Sequence, residues 1–278
     1  MKIFSKKQKY ILWGFLGVAV LSLSLAYISI PSGALEVHFL DVGQGDAVFI
    51  ETPSGRQILI DSGRPDSPIL ERLSNYMPFY DRDIDIVVAT HMDADHIGGL
   101  VHVLENFEVD MMLVNSGDFT KPLSEKLFKI AKEKNIPIIQ AGVGDKFTLD
   151  EEVFMYTLHP SSGFLNKDEN EASLVFKLVY KNDSFLFTAD IGKVAEYTLA
   201  QSGIDISADV LKVGHHGSNT SSVKYFLDKV GAKLAVIQVG ENNYGHPHPA
   251  VLRRLKDLQV LRNDLNGDIT IYSYGDSI

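Results

Sequence analysis

The chain has 278 residues, 45% of them hydrophobic, no cysteine, and 26 basic against 36 acidic side chains, a net charge of −10. That length and apolar content can bury one large core, and the missing cysteine excludes disulfides and thiolate metal ligands. The acidic balance argues against extended nonspecific binding of nucleic acid, which needs Lys or Arg to displace counterions from phosphates.

In chain order, Lys2, Lys6, Lys7 and Lys9 precede residues 11–30, which carry no charge. Twenty such residues predict a helix long enough to cross a bilayer core of roughly 30 Å. The basic flank then stays in the cytoplasm and the remainder lies outside. The expected organisation is a cytoplasmic segment 1–10, a single-pass transmembrane signal anchor 11–30 in the cell membrane, and an extracytoplasmic domain 35–278. The rival is a cleavable signal peptide, whose apolar region usually has about 7 to 15 residues; Pro31-Ser32-Gly33-Ala34 only loosely imitates a cleavage site. Without residues 1–10 the chain holds 22 basic and 36 acidic residues, a net of −14.

Beyond the anchor, residues 35–40 and 47–51 predict a hairpin around Gly43-Gln44-Gly45, with 57–60 as the next strand. Apolar residues recur at helical spacing in 67–77, 97–107, 122–134, 193–201, 222–230 and 249–258. Strand-like runs are 84–89, 111–114, 136–140, 153–157, 173–179, 184–188, 210–213, 234–238 and 269–274, with Lys181-Asn182-Asp183 as a polar turn. Strands mixed with helices fit an α/β architecture of two sheets between helical layers.

Three of these strands end in ligand-capable residues. Residues 84–89 lead into Thr90-His91-Met92-Asp93-Ala94-Asp95-His96, which packs His91, Asp93, Asp95 and His96 into six positions. An extended loop sends alternate side chains the same way, so His91, Asp93 and Asp95 can converge while His96 turns back toward them. The strand 184–188 ends at Asp190, and 210–213 ends at Gly214-His215-His216-Gly217-Ser218. Sites in α/β sheets collect at carboxyl ends of strands, so the three endings can meet in one crevice.

These motifs resemble the metallo-β-lactamase superfamily, whose first motif is H-x-H-x-D-H. Within it, the chain is similar to the hydrolase domain of ComEC-type competence proteins, the DNA-uptake channels. The resemblance runs from about residue 35 to the C-terminus. It rests on the 38–47 segment with Asp41-Val42-Gly43-Gln44-Gly45-Asp46, on Ile60-Asp61-Ser62-Gly63, the His91 cluster, Leu186 to Asp190, the His215 stretch, and Tyr244-Gly245-His246-Pro247-His248-Pro249. It implies the αββα four-layer sandwich.

The resemblance also implies two divalent metal ions, Zn²⁺ or Mn²⁺. His91 and Asp93 would bind one, Asp95 and His96 the other, Asp190 would bridge, and a histidine of the 215/216 pair would complete the second site. Asp93 replaces the commoner histidine and makes the first site harder, favouring Mn²⁺ or Mg²⁺ more than an all-imidazole site would. Strand register favours His215 as the ligand, with His216 as an acid or phosphate-binding group, although the order can be reversed. His159 is a candidate to complete the first site. Asn170, Ser218 and His246 are candidate substrate contacts; Ser218 and Ser221 alternatively cap the following helix. Asp61 is read as holding a histidine ligand in its tautomer, and Asp41 and Asp46 as satisfying loop backbone donors.

The implied function is an extracytoplasmic two-metal hydrolase using metal-bound hydroxide, with Asp95, Asp190 and His216 in catalysis. The expected substrate is a phosphodiester in DNA, a nucleotide or a wall polymer, without a stable nucleic-acid complex. The alternative is a non-catalytic, metal-containing binding or assembly subunit of a competence or cell-surface system. Against it, a degenerate member would be expected to have lost some of these ligands.

Overall fold

Alternation along the strands sorts the apolar side chains onto two faces and so builds two stacked sheets of seven strands each. The computed structural model describes residues 5–28, 32–115, 119–164, 168–276 and 278. Helix α1 (Lys6–Ile28) comes first. The first half then supplies β1 (Leu35–Phe39), β2 (Val48–Glu51), β3 (Gln57–Ile60), α2 (Ile69–Ser74), β4 (Asp83–Ala89), α3 (Ala94–Ile97), α4 (Leu100–Asn106), β5 (Glu108–Val114), α5 (Pro122–Glu133) and β6 (Ile138–Gln140). The second half supplies β7 (Lys146–Thr148), β8 (Val153–His159), β9 (Val175–Tyr180), β10 (Asp183–Phe187), α6 (Lys193–Gln201), β11 (Val210–Lys212), α7 (Lys224–Val230), β12 (Leu234–Ile237), α8 (Pro249–Arg254), β13 (Gln259–Arg262), α9 (Asn263–Asn266) and β14 (Ile269–Ser273).

One sheet runs β14-β1-β2-β3-β4-β5-β6 and the other β13-β12-β11-β10-β9-β8-β7. The last strand returns to the first sheet, pairing antiparallel to β1 with Leu35 opposite Ser273. Between the sheets, Phe39, Ile50, Ile60 and Val88 share one core with Phe176, Phe185, Phe187 and Val236. Fully burying each of these side chains contributes about 1.5–3 kcal/mol. Neighbours of opposite parity face outward: Phe49, Leu59 and Val87 pack with α2, α4 and α5, and Leu186 and Leu211 pack with α6 and α7. The result is the α/β sandwich of helix, sheet, sheet and helix.

Three expectations change. The predicted membrane anchor is not supported: α1 takes Lys6, Lys7 and Lys9 into its own first turn, residues 29–31 lie outside the described residues, and among the described residues no helix is long and apolar enough to cross a membrane. The single-pass topology and the location inferred from it are therefore withdrawn. The helix expected at 97–107 is divided at Gly98-Gly99, where a Cβ would lie 2.2 Å from the Pro65 nitrogen and 2.4 Å from the Ser62 carbonyl oxygen, respectively. The outermost strands β7 and β13 were not anticipated, because edge strands need no alternating apolar face.

Candidate metal centre

Five loops leave the sheets at the same end. The β1–β2 loop carries Asp46, the segment after β3 carries Asp61, the segment after β4 carries the His91 cluster, and those after β10 and β11 carry Asp190 and His215-His216. Backbone bonds stitch the first three together: Asp46 N donates to Asp95 O at 3.2 Å, Ser62 N to His96 O at 2.8 Å, and Gly63 N to Asp46 O at 2.8 Å. Asp61, Ala189, His215 and His216 all have left-handed backbones, with φ between 44° and 57°. Such residues cost of order 1–3 kcal/mol each and gather where function fixes the geometry.

Three imidazoles are oriented from behind. Thr90 donates its hydroxyl to Asp61 Oδ2 at 2.6 Å, so the His91 Nδ1–H must donate to Thr90 Oγ1 at 3.1 Å. His96 Nδ1 donates to Asp61 Oδ2 at 2.8 Å, and His216 Nδ1 donates to the Gln238 carbonyl at 3.0 Å. Each ring therefore turns its Nε2 toward a common point. All three Nε2 atoms, and Asp190 Oδ1, are buried without a hydrogen-bond partner. Four orphaned buried polar atoms are costly unless something binds them.

Asp190 lies between the two halves of the cluster. Its Oδ1 is 3.4 Å from His96 Nε2 and its Oδ2 is 3.3 Å from His216 Nε2. Donor atoms of His91, His96 and Asp190 lie within 4.8 Å of one another, as do those of Asp95, His96 and His216. Asp95 Oδ2 is 3.5 Å from His216 Nε2. Asp93 stands at the rim, with Oδ2 3.7 Å from His91 Nε2 and Oδ1 2.8 Å from Lys121 Nζ, which also pairs with Glu169. Two further groups include Asp46, but Asp46 approaches His96 and His216 at Nδ1, behind the rings.

The charges fit a cation. Burial alone would raise Asp190, but His216 and His96 hold it well below the ordinary carboxylate range. Burial would lower His96 and His216, yet Asp190, with Asp61 beside the first and Asp46 beside the second, holds both well above 6.5. Burial, with His96 alongside, pushes His91 down to about 4, leaving its ring neutral. A field that concentrates positive charge on buried imidazoles also attracts a metal ion. Imidazole and carboxylate donors suit borderline to hard divalent cations.

The sequence-predicted residues separate here. The structure brings together His91, Asp95, His96 and Asp190, and adds His216 in place of His215. Left-handed backbones at both histidines turn their rings 81° apart, so His216 is buried in the cluster while His215 is a quarter exposed, with Nε2 3.7 Å from Asp190 Oδ2. His159 is not in the cluster: its Nε2 donates to the Glu171 carbonyl at 2.8 Å and its ring packs edge-on against Phe164. Ser218 is buried with its hydroxyl against Thr220, and it does not cap α7, because Glu196 accepts the Ser222 and Val223 amides there. Asn170 is half-buried on a loop held by Asp168 and the Ser173 amide. His246 stands over the centre, its ring 5.8 Å from that of His215. Asp46 does more than satisfy loop donors: it forms an ion pair with Lys212, which the sequence reading passed over. The available signal was a lone lysine in the buried run 210–213.

Residues 40–241 match the sequence profile of the metallo-beta-lactamase superfamily. ComE operon protein 3 of Bacillus subtilis (strain 168) is 33% identical over 253 residues, covering 84% of this chain and 32% of that protein. Competence protein ComA of Neisseria gonorrhoeae is 29% identical over 243 residues, covering 86% of this chain and 32% of that protein. The chain thus spans about a third of the length of these relatives. Among solved structures, the metallo-beta-lactamase fold protein YhfI from Bacillus subtilis superposes with a TM-score of 0.55 at 12% identity, covering 85% of this chain and 99% of that one. CmlA, a diiron beta-hydroxylase from Streptomyces venezuelae, gives 0.55 at 14% identity over 85% of this chain and 54% of that one; these two likenesses concern the fold alone. With its fold, its His/Asp cluster and its competence-protein relatives, the chain belongs to the metallo-beta-lactamase superfamily, in the ComEC-like competence-associated group.

Proposed function

We propose that the domain is a metal-dependent hydrolase of phosphodiesters. One observation carries the metal centre: the Nε2 atoms of His91, His96 and His216 and Asp190 Oδ1 converge unpartnered, with each ring held from behind at Nδ1. His91, Asp93 and Asp190 would hold one divalent ion, and Asp95, His96, His216 and Asp190 a second, Zn²⁺ or Mn²⁺. When bound, two such ions supply an acidified water and stabilise the oxyanion that develops during attack. Asp190 is suited to bridge because its oxygens face different histidines.

The chain's own residues do the rest. Asp61, Thr90 and the Gln238 carbonyl fix the ring orientations. His215 and His246 stand on the open side and are placed to hold a phosphoryl oxygen or hand a proton to a departing alkoxide. The carboxylate of Asp93 favours phosphoryl chemistry with a hard ion over β-lactam hydrolysis, and the likeness to a relative named for competence supports DNA phosphodiesters as the substrate class. A groove of about 760 Å³ opens between the 41–44 loop, Arg64 to Pro68 and the 241–244 loop, the first and last of which flank Asp46 and His246 in sequence. Its lining includes Asp41, Asp66 and Glu241 as well as Arg64 and Arg72, so it offers no basic track for a long phosphate chain. We therefore place recognition at one phosphodiester at a time.

The test is hydrolysis of bis(p-nitrophenyl) phosphate and of single-stranded DNA with Mn²⁺ or Zn²⁺ added, beside Asp190→Ala. Metal-dependent turnover that disappears in the variant is the expected result. Bound metal without turnover on either substrate would remove the phosphodiester assignment and favour a binding or assembly role.

A further inference from the structure

Lys212 is the most deeply buried lysine among the described residues, 2% exposed, and no ligand role uses it. Strand alternation puts it there: Val210, on the same face of β11, belongs to the core between the sheets. The ammonium therefore enters that space at its upper rim, directly beneath the metal centre. Its Nζ pairs with Asp46 Oδ2, donates to the Ala189 carbonyl at 3.0 Å, and lies 3.9 Å from Asp190 Oδ1. A cavity of about 10 Å³ beside it is lined by Asp46, Asp61, Thr90 and Lys212.

The 3.9 Å gap is the informative distance. A buried carboxylate beside an ammonium ordinarily closes to about 2.7–2.9 Å, yet Asp190 Oδ1 has no hydrogen-bond partner. Lys212 is held back by Asp46 and the Ala189 carbonyl. Asp46 is itself fixed at both backbone ends, its N donating to Asp95 O and its O accepting from Gly63 N. The other charged or titratable groups near the pair are His216, whose Nδ1 is 3.3 Å from Asp46 Oδ1, His96, whose Nδ1 is 3.9 Å from Asp46 Oδ2, and Asp61, which lies within 4.8 Å of Asp46 and His96 and has its carboxylate engaged by Thr90 and His96.

We propose that Asp46 is a decoy carboxylate: by holding the Lys212 ammonium, it keeps that cation off Asp190 and leaves Asp190 Oδ1 open to a metal ion. Asp46 and Lys212 are positioning residues, and the proposal rests on the metal-centre reading above but not on the choice of phosphodiester as substrate. Without Asp46, Lys212 closes onto Asp190 and competes with the metal. Without both, the competition vanishes.

The test is Mn²⁺ affinity of the full chain, by calorimetry or chelator competition, for the wild type, Asp46→Asn, Lys212→Met and the double variant. Unit charges this close in a partly screened interior predict that Asp46→Asn weakens Mn²⁺ binding about tenfold or more. Adding Lys212→Met should return affinity to within about threefold of wild type, and Lys212→Met alone should bind at least as tightly as wild type. If the pair is merely structural, the double variant binds as weakly as Asp46→Asn, and the proposal falls. Should Asp46→Asn fail to fold, Lys212→Met decides: a tenfold loss of affinity on removing the lysine overturns the proposal, whereas wild-type or tighter binding supports it. A wild-type chain that binds no Mn²⁺ would overturn the metal-centre reading and this proposal together; binding without rescue would overturn the proposal alone.

Discussion

Asp61→Asn separates the task of orienting a ligand from the task of filling space. Asp61 is wholly buried with φ 57°, a backbone that Asn tolerates better than most residues, so the loop should keep its path. Its carboxylate accepts three hydrogen bonds: Thr90 N at 2.9 Å, Thr90 Oγ1 at 2.6 Å and His96 Nδ1 at 2.8 Å. In the amide, the oxygen can stay on Thr90 N, and the NH₂ then replaces Oδ2. Thr90 can rotate its hydroxyl and accept instead. His96 cannot adapt at Nδ1, where two donors would face each other, so it must shift its proton to Nε2 and close the lone pair a metal needs. Outer groups of this kind are worth about 10–100-fold in metal affinity, or roughly 1.4–2.7 kcal/mol. Metal-free stability should fall by about 1.5–3 kcal/mol for the lost charge-assisted bond. Titration with Zn²⁺ or Mn²⁺, together with thermal unfolding of the metal-free protein, measures both. An affinity within about twofold of wild type would refute the claim that Asp61 sets the His96 tautomer.

Four further outcomes follow from the same geometry. His216→Ala should lose at least one metal ion per chain, whereas His215→Ala should keep metal content and lose turnover, which metal analysis and the phosphodiester assay separate. Metal affinity should fall with decreasing pH, because His96 and His216 are held above 6.5 in the metal-free protein and must release protons to bind; calorimetry in two buffers of different ionisation enthalpy reads the released protons. For the metal-free protein the same raised values give stability that is complete below about 6.5 and is lost as pH rises through the folded-state values, so denaturant midpoints should decline above neutrality. Gly45→Ala should destabilise the fold by about 1–3 kcal/mol and weaken metal binding, since φ is 137° and the new Cβ would lie 2.2 Å from the Asp95 carbonyl oxygen; unchanged unfolding would contradict the close approach of the two loops.

The sheets and the His91 cluster were legible because period-two patterning and strand-end position are local signals. Ile86 and Val88 face one core and Val87 and Ala89 the other, and the ligand motif begins two residues after Ala89. The order of His215 and His216 was not legible, because register carried from β11 fails at two successive left-handed residues. His159 looked like a ligand by residue type, but its ring is occupied by the Glu171 carbonyl, twelve residues away, a contact no periodicity encodes. Lys212 could have been found: a lysine two places after a core valine has its ammonium between the sheets and must have an anionic partner there. Hydrophobicity suggested that residues 11–30 cross a membrane, but the described helix does not have the combination of length and apolarity required.

His91, Asp95, His96, Asp190 and His216 are proposed to form a divalent-metal centre. Metal content per chain, measured on purified protein after incubation with Mn²⁺ or Zn²⁺ and removal of free ion, tests it most directly. Two ions per wild-type chain are expected, with a loss of one or both in Asp190→Asn, whose amide cannot bridge as an anion. No bound ion in the folded wild type, or content unchanged by Asp190→Asn, would contradict it.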